Sequence, residues 1–489
     1  MSLSPESNPR VPHIVIVGGG IAGLAAAYRL EELSREREQP LRFTLLEASD
    51  RLGGVIATEQ RDDFLLELGP DSFISEKPWA LALCRRLGLE PELLGTNDAH
   101  RSTFVVHQGR LEPLPQGFML LAPTQFGPLL RSRIFSWPGK LRMALDLVLP
   151  RAREQNDESL GSFVRRRLGR EALERIAQPL IGGIYTADPD QLSLAATMPR
   201  FLHMEREQRS VIYALWQASR RNPQTTKGTS GARWSLFVTL QAGMQRLVSA
   251  LTEHLTIGTL RQRCPVTSVR YQTVGSDETR WTVDCADDSS LRADGLVLAT
   301  PAFATARLVH GLDRVLSQHL SGIPYSSTAT VNMAYRRDQI LHSLNGFGFV
   351  VPRVEQRSIL AGTFSSVKYA GRAPSDHALL RTFVGGALQA ELFERDDAEI
   401  LALVRSELHQ LLGIEAEPLL TRITRYPQSM PQYRVGHLQF VDEIEKQVAG
   451  HPGLALAGNA YRGVGLADCV RSGEAAAEAV FAGCVAKPL

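Results

Sequence analysis

The stretch HIVIVGGGIAGLAAAYRLEEL, residues 13–33, decides the fold. Its first five residues form a short, mostly apolar run rich in β-branched side chains, which predicts a strand buried in a parallel sheet. Three glycines follow, and after them comes a run of helix-forming residues. The segment RFTLLE (42–47) is predicted to form a second strand. A strand, a glycine turn, a helix and a strand make a βαβ unit.

The glycines of this turn have the spacing of a dinucleotide-binding site. Gly18 permits a tight turn, Gly20 lets the backbone approach a pyrophosphate, and Gly23 lets helix and strand pack closely. The helix then presents its free N–H groups to the phosphates. Glu47 lies 24 residues after Gly23, close to the distance expected for the acid that binds a ribose. Its carboxylate disfavours a 2′-phosphate, and therefore an NADP-type ligand.

Two further glycine-rich segments extend this site. In EASDRLGG (47–54), Arg51 can reach back toward phosphate, while Gly53 and Gly54 let the main chain pass close to a cofactor. In AGNAYRGVGLADCVRSGEAAAEAV (457–480), glycines precede a helix of small residues that can approach a ligand. The E-x-x-x-R-x-G-G arrangement resembles the flavoproteins that include monoamine oxidases, phytoene desaturases and protoporphyrinogen oxidases. The resemblance implies FAD and not NAD.

Composition and charge exclude several other classes. The formal net charge is +2, which gives no argument for a nucleic-acid partner. The basic run Arg165, Arg166 and Arg167 is predicted to be a solvated helix face. Five scattered cysteines without a C-x-x-C pair predict no disulfide framework and no metal site, and they fit a cytoplasmic compartment. The polar start of the chain does not resemble a signal peptide.

One region raises the question of a membrane. Residues 113–130 carry no charge but contain four prolines, so they cannot form a continuous spanning helix. The next segment, RSRIFSWPGKLRMALDLVLP (131–150), interleaves apolar and basic residues. This pattern suits either a bilayer surface or the cover of a buried cavity, and we favour the cavity or packing role. Peripheral contact with the cytoplasmic membrane and a homodimer both stay open.

Further sequence blocks narrow the resemblance. The segments ELGPDSF (67–73), LIGGIYTADPDQLSLAATMP (180–199), MEREQRSVI (204–212), GMQRLVSAL (243–251), FVGG (383–386) and MPQYRVGH (430–437) resemble the oxygen-dependent porphyrinogen oxidases. The likeness spans residues 12–480 and is greatest for the bacterial members. It implies an enzyme of haem biosynthesis whose partners are O₂ and a porphyrinogen, either protoporphyrinogen IX or coproporphyrinogen III.

The expected fold is α/β, or more broadly a multidomain α+β protein. Apolar strands at both ends and in the middle of the chain predict one sheet assembled from distant segments. We expect a Rossmann-like FAD-binding domain in three parts (12–95, 226–300 and 416–489), a mixed-sheet substrate domain (301–415) and a helical insertion (96–225) that faces substrate or a membrane. Residues 395–412 are predicted to form an amphipathic helix.

The βαβ unit and the resemblance together give the expected FAD contacts. They lie in the first glycine turn, after the second strand, in a GPDS segment, at two isolated positions and in the C-terminal block: Gly18, Gly19, Gly20, Ile21, Ala22, Gly23, Glu47, Ala48, Arg51, Gly53, Gly54, Val55, Gly69, Pro70, Asp71, Ser72, Val266, Tyr426, Gly458, Gly463, Val464, Gly465 and Leu466. Val266 is expected at the adenine. Tyr426 stands where relatives tend to have tryptophan.

The resemblance also implies a substrate site. Gly182 and Gly183 should lie against the macrocycle, Phe383 should pack on a pyrrole ring, and Val350 should clamp the substrate. Plain core packing is the alternative for Phe383 and Val350. Protoporphyrinogen oxidases tend to have an arginine where this chain has Thr103. Arg101 could substitute for it, although strand alternation also lets it face elsewhere. This departure favours coproporphyrinogen, which has four carboxylates instead of two.

The implied chemistry belongs mainly to the flavin. The oxidation removes six electrons in three steps, with flavin N5 as the hydride acceptor and three hydrogen peroxides as products. The sequence identifies no catalytic acid, base or nucleophile. Two alternatives stay open: another oxidase of this scaffold acting on an amine or a carotenoid, and a non-enzymatic flavoprotein that binds a tetrapyrrole.

Overall fold

The structure is a computed structural model that describes residues 11–119, 122–123, 125–152, 157–221, 236–272 and 281–485. The strands, in chain order, are β1 (His13–Val17), β2 (Arg42–Leu46), β3 (Thr58–Arg61), β4 (Phe64–Glu67), β5 (Phe73–Ile74), β6 (Leu93–Gly95), β7 (Thr103–His107), β8 (Arg110–Pro113), β9 (Phe118–Met119), β10 (Ala122–Pro123), β11 (Phe237–Leu240), β12 (Gly258–Arg261), β13 (Val266–Tyr271), β14 (Trp281–Cys285), β15 (Ser290–Ala293), β16 (Gly295–Leu298), β17 (Tyr325–Arg336), β18 (Gly348–Val350), β19 (Ala361–Phe364), β20 (His377–Gly385), β21 (Leu420–Pro431) and β22 (Leu454–Leu456).

The helices, in the same order, are α1 (Ile21–Glu36), α2 (Pro78–Arg86), α3 (Phe126–Arg131), α4 (Trp137–Ala144), α5 (Leu160–Arg167), α6 (Arg170–Ala172), α7 (Gln178–Tyr185), α8 (Leu194–Thr197), α9 (Pro199–Gln208), α10 (Val211–Arg221), α11 (Gln245–Glu253), α12 (Ala302–Val309), α13 (Arg314–Ser321), α14 (Ser365–Lys368), α15 (Ala390–Phe393), α16 (Asp397–Leu412), α17 (His437–Ala449) and α18 (Leu466–Val485). A π-helical turn, Leu173–Ala177, joins α6 to α7.

A five-stranded parallel sheet forms the first core, in the order β12-β2-β1-β16-β22. All five residues of β1 are buried, as its apolar run predicts. The predicted sheet built from distant segments is confirmed, because its strands come from the start, the middle and the end of the chain. Strand β12 at its edge was not predicted from the sequence. The predicted strand in residues 291–301 is divided into β15 and β16, which belong to different sheets.

A seven-stranded sheet forms the second layer, in the order β21-β17-β20-β19-β18-β7-β8. It is mixed, because β7 and β18 run parallel while the other neighbours are antiparallel. One face packs on α16, which starts at a capping box between Asp396 and Glu399 and ends before Gly413. The amphipathic helix predicted for residues 395–412 is therefore confirmed with nearly the same bounds.

The region 100–225 differs from the mainly helical expectation at its start. Strands β7 and β8 pair with each other and continue the seven-stranded sheet, and only after them does the chain become helical. Strand β21, from the C-terminal part of the chain, joins the same sheet. The domain boundaries proposed from the sequence stay a prediction. The segment RNPQTTKGTSGAR (221–233), whose composition predicts a polar loop, lies almost wholly outside the described residues.

The basic run at the end of α5 is not a solvated face. Arg167 is fully buried and donates from Nε to Asp146 at 2.6 Å. Arg166 pairs with Glu205 and Glu158. The prediction was wrong for these residues because the acidic partners come from other segments. A buried charge needs such partners, and here they are supplied by the fold.

The segment 131–150 is partly buried and partly exposed. Ile134, Phe135 and Met143 enter the helical core. Trp137 and Leu141, however, keep 64% and 68% of their surface exposed, so the expected packing role is wrong for them. Among the described helices, none combines the length and apolar character required to cross a bilayer.

Candidate active site

The glycine turn between β1 and α1 has the geometry that its spacing predicts. A Cβ atom on Gly23 would lie 1.9 Å from the carbonyl oxygen of Gly18, so only glycine permits this helix to approach its strand. Gly20 is the N-cap of α1 and supplies no side chain to the first-turn N–H groups. A Cβ atom on Gly20 would meet nothing within 4 Å. The helix end therefore opens onto free space that suits an anion.

Glu47 closes this turn from the end of β2. Its Oε2 accepts the Gly19 N–H at 2.7 Å, and its Oε1 accepts the Ser49 N–H at 2.8 Å. The Cys264 N–H donates to the Glu47 carbonyl oxygen at 2.9 Å. Val266, the predicted adenine contact, starts β13 two residues later. The structure thus brings the predicted ribose and adenine contacts to the same edge of the sheet.

Arg51 holds the loop that follows Glu47. Its guanidinium donates to the Ile56 carbonyl oxygen at 2.9 Å and also to that of Gly54. The Gly53 N–H donates to the Gly19 carbonyl oxygen at 2.8 Å, and Gly20 and Gly53 form a bridge. The loop is therefore laid on the glycine turn. The observed contacts of Arg51 are with its own loop, and its role toward phosphate stays a prediction.

The GPDS segment, Gly69 to Ser72, is held by charged and polar neighbours. Asp71 Oδ2 lies 2.8 Å from the Lys368 ammonium, and its Oδ1 accepts the Ser72 hydroxyl at 2.7 Å. Burial alone would raise the pKa of Asp71, but the nearby Lys368 and Arg381 lower it to about 2. Asp71 is therefore ionised and paired at neutral pH.

Three side chains of the seven-stranded sheet donate hydrogen bonds to backbone carbonyl oxygens at the start of this segment and just before it. Asn332 Nδ2 donates to the Glu67 oxygen at 3.3 Å, and Thr330 Oγ1 donates to the Leu68 oxygen at 3.1 Å. Arg381 donates to the Leu68 oxygen at 3.1 Å and to that of Gly69. The seven-stranded sheet therefore holds the backbone at the start of the predicted flavin contacts.

The same face of this sheet carries the predicted substrate residues. The strand register puts Arg381 and Phe383 beside Asn332 and Thr330, and it carries the face across β19 to Val350 and Thr103. We call this side of the seven-stranded sheet the cleft face. Its opposite side, with Phe349 and Val384, is the core against α16.

The cleft face leaves buried polar atoms without a partner. They are Asn332 Oδ1, Arg381 Nε, Thr424 Oγ1 and Tyr426 OH. Burial raises the pKa of Tyr426, and the nearby positive charges of Arg381 and Arg51 oppose that rise. Buried polar atoms are normally satisfied. These orphaned atoms and the open space at Gly20 and Gly458 fit a large polar cofactor such as FAD.

The C-terminal block reaches the same cleft. Gly458, in a left-handed conformation at φ +127°, follows β22, and a Cβ there would meet nothing within 4 Å. The Gly463 N–H donates to the Tyr433 hydroxyl at 2.8 Å, and that hydroxyl donates to the Asn459 carbonyl oxygen at 2.6 Å. Gly465 and Leu466 lead into α18, whose Asp468 is paired with Lys77 at 2.6 Å.

Residues predicted to contact the cofactor and residues predicted to contact the substrate share one apolar cluster. Val350 belongs to it, and Phe383 and Val464 pack against it. A Cβ atom on Gly183 would lie 3.9 Å from Val350 Cγ1, which places the second glycine of α7 at the same surface. Gly182 is buried behind it. Phe383 and Val350 therefore take part in core packing, and their contact with substrate stays a prediction.

Arg101 is the predicted substrate residue that the structure does not bring to this cluster. It lies in a turn before β7, and its guanidinium pairs with Asp98 at the exposed surface. Arg101 therefore does not take the place of the arginine that protoporphyrinogen oxidases tend to have at the position of Thr103.

Sequence reasoning missed Arg381, Asn332 and Glu67. Arg381 is a lone arginine in the apolar strand LLRTFVGG, two residues from Phe383, so strand alternation could have assigned it to the same face. Burial raises the pKa of Glu67 to about 7, although the Met244 N–H and the Thr58 hydroxyl donate to its carboxylate at 2.8 Å. Nothing in the local sequence marks Glu67 as a buried acid.

The parallel sheet, the glycine turn and the second glycine-rich block define a flavin-dependent oxidoreductase that binds FAD. A family model of flavin-containing amine oxidoreductases matches residues 21–481, and the chain belongs to this family.

Curated relatives support the finer resemblance. The chain is 35% identical to coproporphyrinogen III oxidase of Bacillus subtilis, over 95% of this chain and 97% of that protein. It is 34% identical to coproporphyrinogen III oxidase of Propionibacterium freudenreichii, over 96% of this chain and 90% of that one. It is 32% identical to protoporphyrinogen oxidase of Bos taurus, over 96% and 98%. The predicted resemblance to the porphyrinogen oxidases is therefore confirmed.

Solved structures agree with the fold. A structure from Exiguobacterium sp. 255-15 is 32% identical, covers 96% of this chain and 99% of its own, and has a TM-score of 0.84. A putrescine oxidase with 18% identity, covering 96% of this chain and 99% of its own, has a TM-score of 0.65, which shows the shared fold alone.

Proposed function

We propose that this flavoenzyme is a porphyrinogen oxidase of haem biosynthesis whose preferred substrate is coproporphyrinogen III. One observation carries the proposal: Val464 of the FAD segment and Phe383 and Val350 of the cleft face pack on the same apolar cluster. A porphyrinogen is a large, mostly apolar ring that must lie next to the flavin. An apolar wall continuous with the cofactor site suits that requirement.

The chain supplies position and shielding for the reaction. When bound, FAD accepts two electrons at a time, so the six-electron oxidation takes three rounds, each releasing H₂O₂ when O₂ re-oxidises the cofactor. Phe383 and Val350 would hold the ring and exclude water from the reacting carbon. The exposed backbone at Gly183 gives the flat ring room. Holding the two reactants close together and in the correct orientation contributes much of the rate enhancement in such a site.

The choice of coproporphyrinogen rests on Thr103. This residue lies on the cleft face, in register with Gly348, where protoporphyrinogen oxidases tend to have an arginine. Two bacterial relatives named coproporphyrinogen III oxidase are 35% and 34% identical to this chain, whereas protoporphyrinogen oxidase of Bos taurus is 32% identical. Both facts support the tetracarboxylate as the preferred substrate.

Initial rates with the two porphyrinogens test this proposal. Purified protein reconstituted with FAD is mixed with each substrate in air, while porphyrin fluorescence and peroxide are followed together. We expect a higher kcat/KM for coproporphyrinogen III and three H₂O₂ for each porphyrin formed. A higher value for protoporphyrinogen IX overturns the preference, and no flavin reduction by either substrate under anaerobic conditions overturns the function.

The two alternative functions have separate signatures in the same experiment. Turnover of a polyamine or of phytoene without porphyrinogen turnover would favour another oxidase of this scaffold. Tight porphyrin binding with no peroxide would favour a non-enzymatic carrier. The neighbouring amine oxidase structures share only the fold with this chain, at 18% identity.

We also propose that the protein contacts the surface of an anionic membrane through α4 and the turn after it. Trp137, Leu141, Leu145 and Val148 follow one side of this segment and are 48–68% exposed. Residues 131–150 contain four basic residues, and the one acid, Asp146, is buried against Arg167. Exposed apolar side chains beside uncompensated basic charge suit an anionic bilayer surface.

Co-sedimentation with vesicles of phosphatidylglycerol and phosphatidylcholine tests the contact. We expect wild type to sediment and the double variant Leu141→Glu, Leu145→Glu to stay in solution. Leu341→Glu is the matched control, because Leu341 is 85% exposed but lies far along the chain from this segment. Wild type that stays in solution overturns the proposal. A dimer that the double variant dissociates would assign the surface to a second copy of the chain.

A further inference from the structure

Arg381 is a positively charged side chain in the middle of strand β20. The residue is 5% exposed, although arginine is among the residues least often buried. It points to the cleft face, beside Asn332 on β17 and Thr363 on β19. Its guanidinium carbon lies 4.9 Å from the centre of the Phe383 ring.

The contacts of Arg381 include no ion pair. One nitrogen donates to the carbonyl oxygens of Leu68 and Gly69, and Nε has no partner. Within the part of the chain that the structure describes, no carboxylate lies within ion-pair distance of it. The nearest candidate is Asp71, whose carboxylate is already paired with the Lys368 ammonium at 2.8 Å.

A buried charge without a counter-charge is costly, so a site that retains one usually meets an anion there. Arg381 donates to the carbonyl oxygens of Leu68 and Gly69, and the predicted flavin contacts begin at Gly69 and continue to Ser72. Tyr426, another predicted cofactor contact, lies close enough to Arg381 to sense its charge. Hydride acceptance places one negative charge on a flavin, which is the anion expected at this position.

We infer that Arg381 stabilises the negative charge that bound FAD acquires on two-electron reduction and thereby raises the reduction potential of the cofactor. The inference rests on the proposed function only through the presence of FAD as the hydride acceptor. Arg381 acts through its charge across the cleft, in addition to holding the carbonyls of Leu68 and Gly69. An arginine that bound a substrate carboxylate instead would leave the potential of the substrate-free enzyme unchanged.

The reduction potential of the FAD-reconstituted enzyme, measured without porphyrinogen at pH 8, tests the inference. Arg381→Met removes the charge at similar length, and Arg381→Lys keeps it. We expect the equilibrium constant for reduction to fall at least tenfold in Arg381→Met, which is about 30 mV for a two-electron couple. Arg381→Lys should stay close to wild type. Sulfite binding to the oxidised cofactor, followed by bleaching near the flavin absorption maximum, should weaken in parallel.

Arg372 provides the matched control. It is also buried and donates to backbone carbonyls, those of Leu240 and Gln241, both at 2.9 Å. Its charge, unlike that of Arg381, faces a carboxylate, Glu67, at 4.0 Å. Arg372→Met should lower stability while changing the potential much less than Arg381→Met does.

Each outcome is decisive. A wild-type potential in Arg381→Met overturns the inference. If that variant does not retain FAD, Arg381→Gln, whose amide can still donate to the two carbonyls, takes its place. Loss of FAD from both charge-free variants, with retention in Arg381→Lys, overturns the inference in favour of a role in binding. A lowered potential together with absent porphyrinogen turnover in wild type would sustain the inference while the proposed function fails.

Discussion

The ammonium nitrogen of Lys368 lies 2.8 Å from Oδ2 of Asp71, and this ion pair connects helix α14 to the GPDS segment, which holds four of the predicted flavin contacts. The side chains are 14% and 22% exposed, so the pair is only partly screened by water. Removal of Lys368 leaves the Asp71 carboxylate without its cation. We therefore expect Lys368→Met to reduce both the stability and the FAD content of the protein.

The size and pH dependence of this effect follow from the pKa of Asp71, which is lowered to about 2. A carboxyl with a depressed pKa contributes stability above its unfolded value near 3.8, and that stability is lost as the pH falls toward 2. The contribution is about 2 kcal/mol at neutral pH. Melting temperatures of wild type and Lys368→Met should differ at pH 7 and converge as the pH falls from 3.8 toward 2. Lys446→Met, at an exposed position of α17, is the control; equal melting temperatures of all three at pH 7 contradict the prediction.

Glu67 should make stability depend on pH in the opposite direction. Burial raises its pKa from 4.5 to about 7, so the folded protein holds this proton more tightly than the unfolded chain does. The stability it contributes is complete below pH 4.5 and is lost as the pH rises to 7, by about 3 kcal/mol. Glu67→Gln keeps the acceptor for the Met244 N–H and cannot ionise.

The measurement for Glu67 is the melting temperature between pH 4.5 and 8. We expect Glu67→Gln to melt at about the same temperature as wild type at pH 4.5 and several degrees higher at pH 8. Glu443→Gln, on the exposed side of α17, should follow wild type at every pH. A Glu67→Gln variant less stable than wild type at pH 8 would show that the carboxylate is ionised and well compensated.

These two acids also mark what the sequence could predict. The first βαβ unit is determined locally: the apolar strand, the glycine spacing and Glu47 lie within 35 consecutive residues, and all form as expected. Strand β12 was missed because GTLR has no marked pattern of its own and is a strand only through its pairing with β2. Arg167 looked solvated because its partner Asp146 stands 21 residues earlier in an apolar context.

The polar contacts of the site also join residues that are far apart in the sequence. Arg381 meets Leu68 across 313 residues, and Asn332 meets Glu67 across 265. Composition and spacing cannot reveal such pairs, because they depend on how two sheets face each other. The glycines could be predicted since their role is imposed by the turn in which they stand. The hydrogen bonds from Arg381, Thr330 and Asn332 to the backbone at the GPDS segment could not be predicted.

Gly183 provides a test of the substrate cleft. A Cβ atom there meets only Val350, at 3.9 Å, which is ordinary contact, so the fold should tolerate Gly183→Ala. The added methyl group would instead narrow the space proposed for the ring. We expect KM for coproporphyrinogen III to rise several-fold with the melting temperature within about 2 °C of wild type. Gly311→Ala, where a Cβ would meet nothing within 4 Å, should change neither quantity. An unchanged KM in Gly183→Ala contradicts the proposed ring position.

Thr103 provides a test of the proposed preference between the two porphyrinogens. It stands at the start of β7 on the cleft face, is partly exposed, and is in register with Gly348. An arginine here could pair with a substrate carboxylate at the rim of the cleft, and a charge-assisted contact of this kind is worth about 1.5 kcal/mol or tenfold in kcat/KM. The dicarboxylate should gain most from it, because it has fewer carboxylates to satisfy at other positions. Thr103→Arg should therefore shift the ratio of kcat/KM toward protoporphyrinogen IX by about tenfold, as measured by initial rates on both substrates.

Thr103→Met adds bulk without charge and should lower both rates together. A ratio that moves equally in the two variants would assign the effect to size, and the absence of arginine at this position would then no longer explain a preference for four carboxylates.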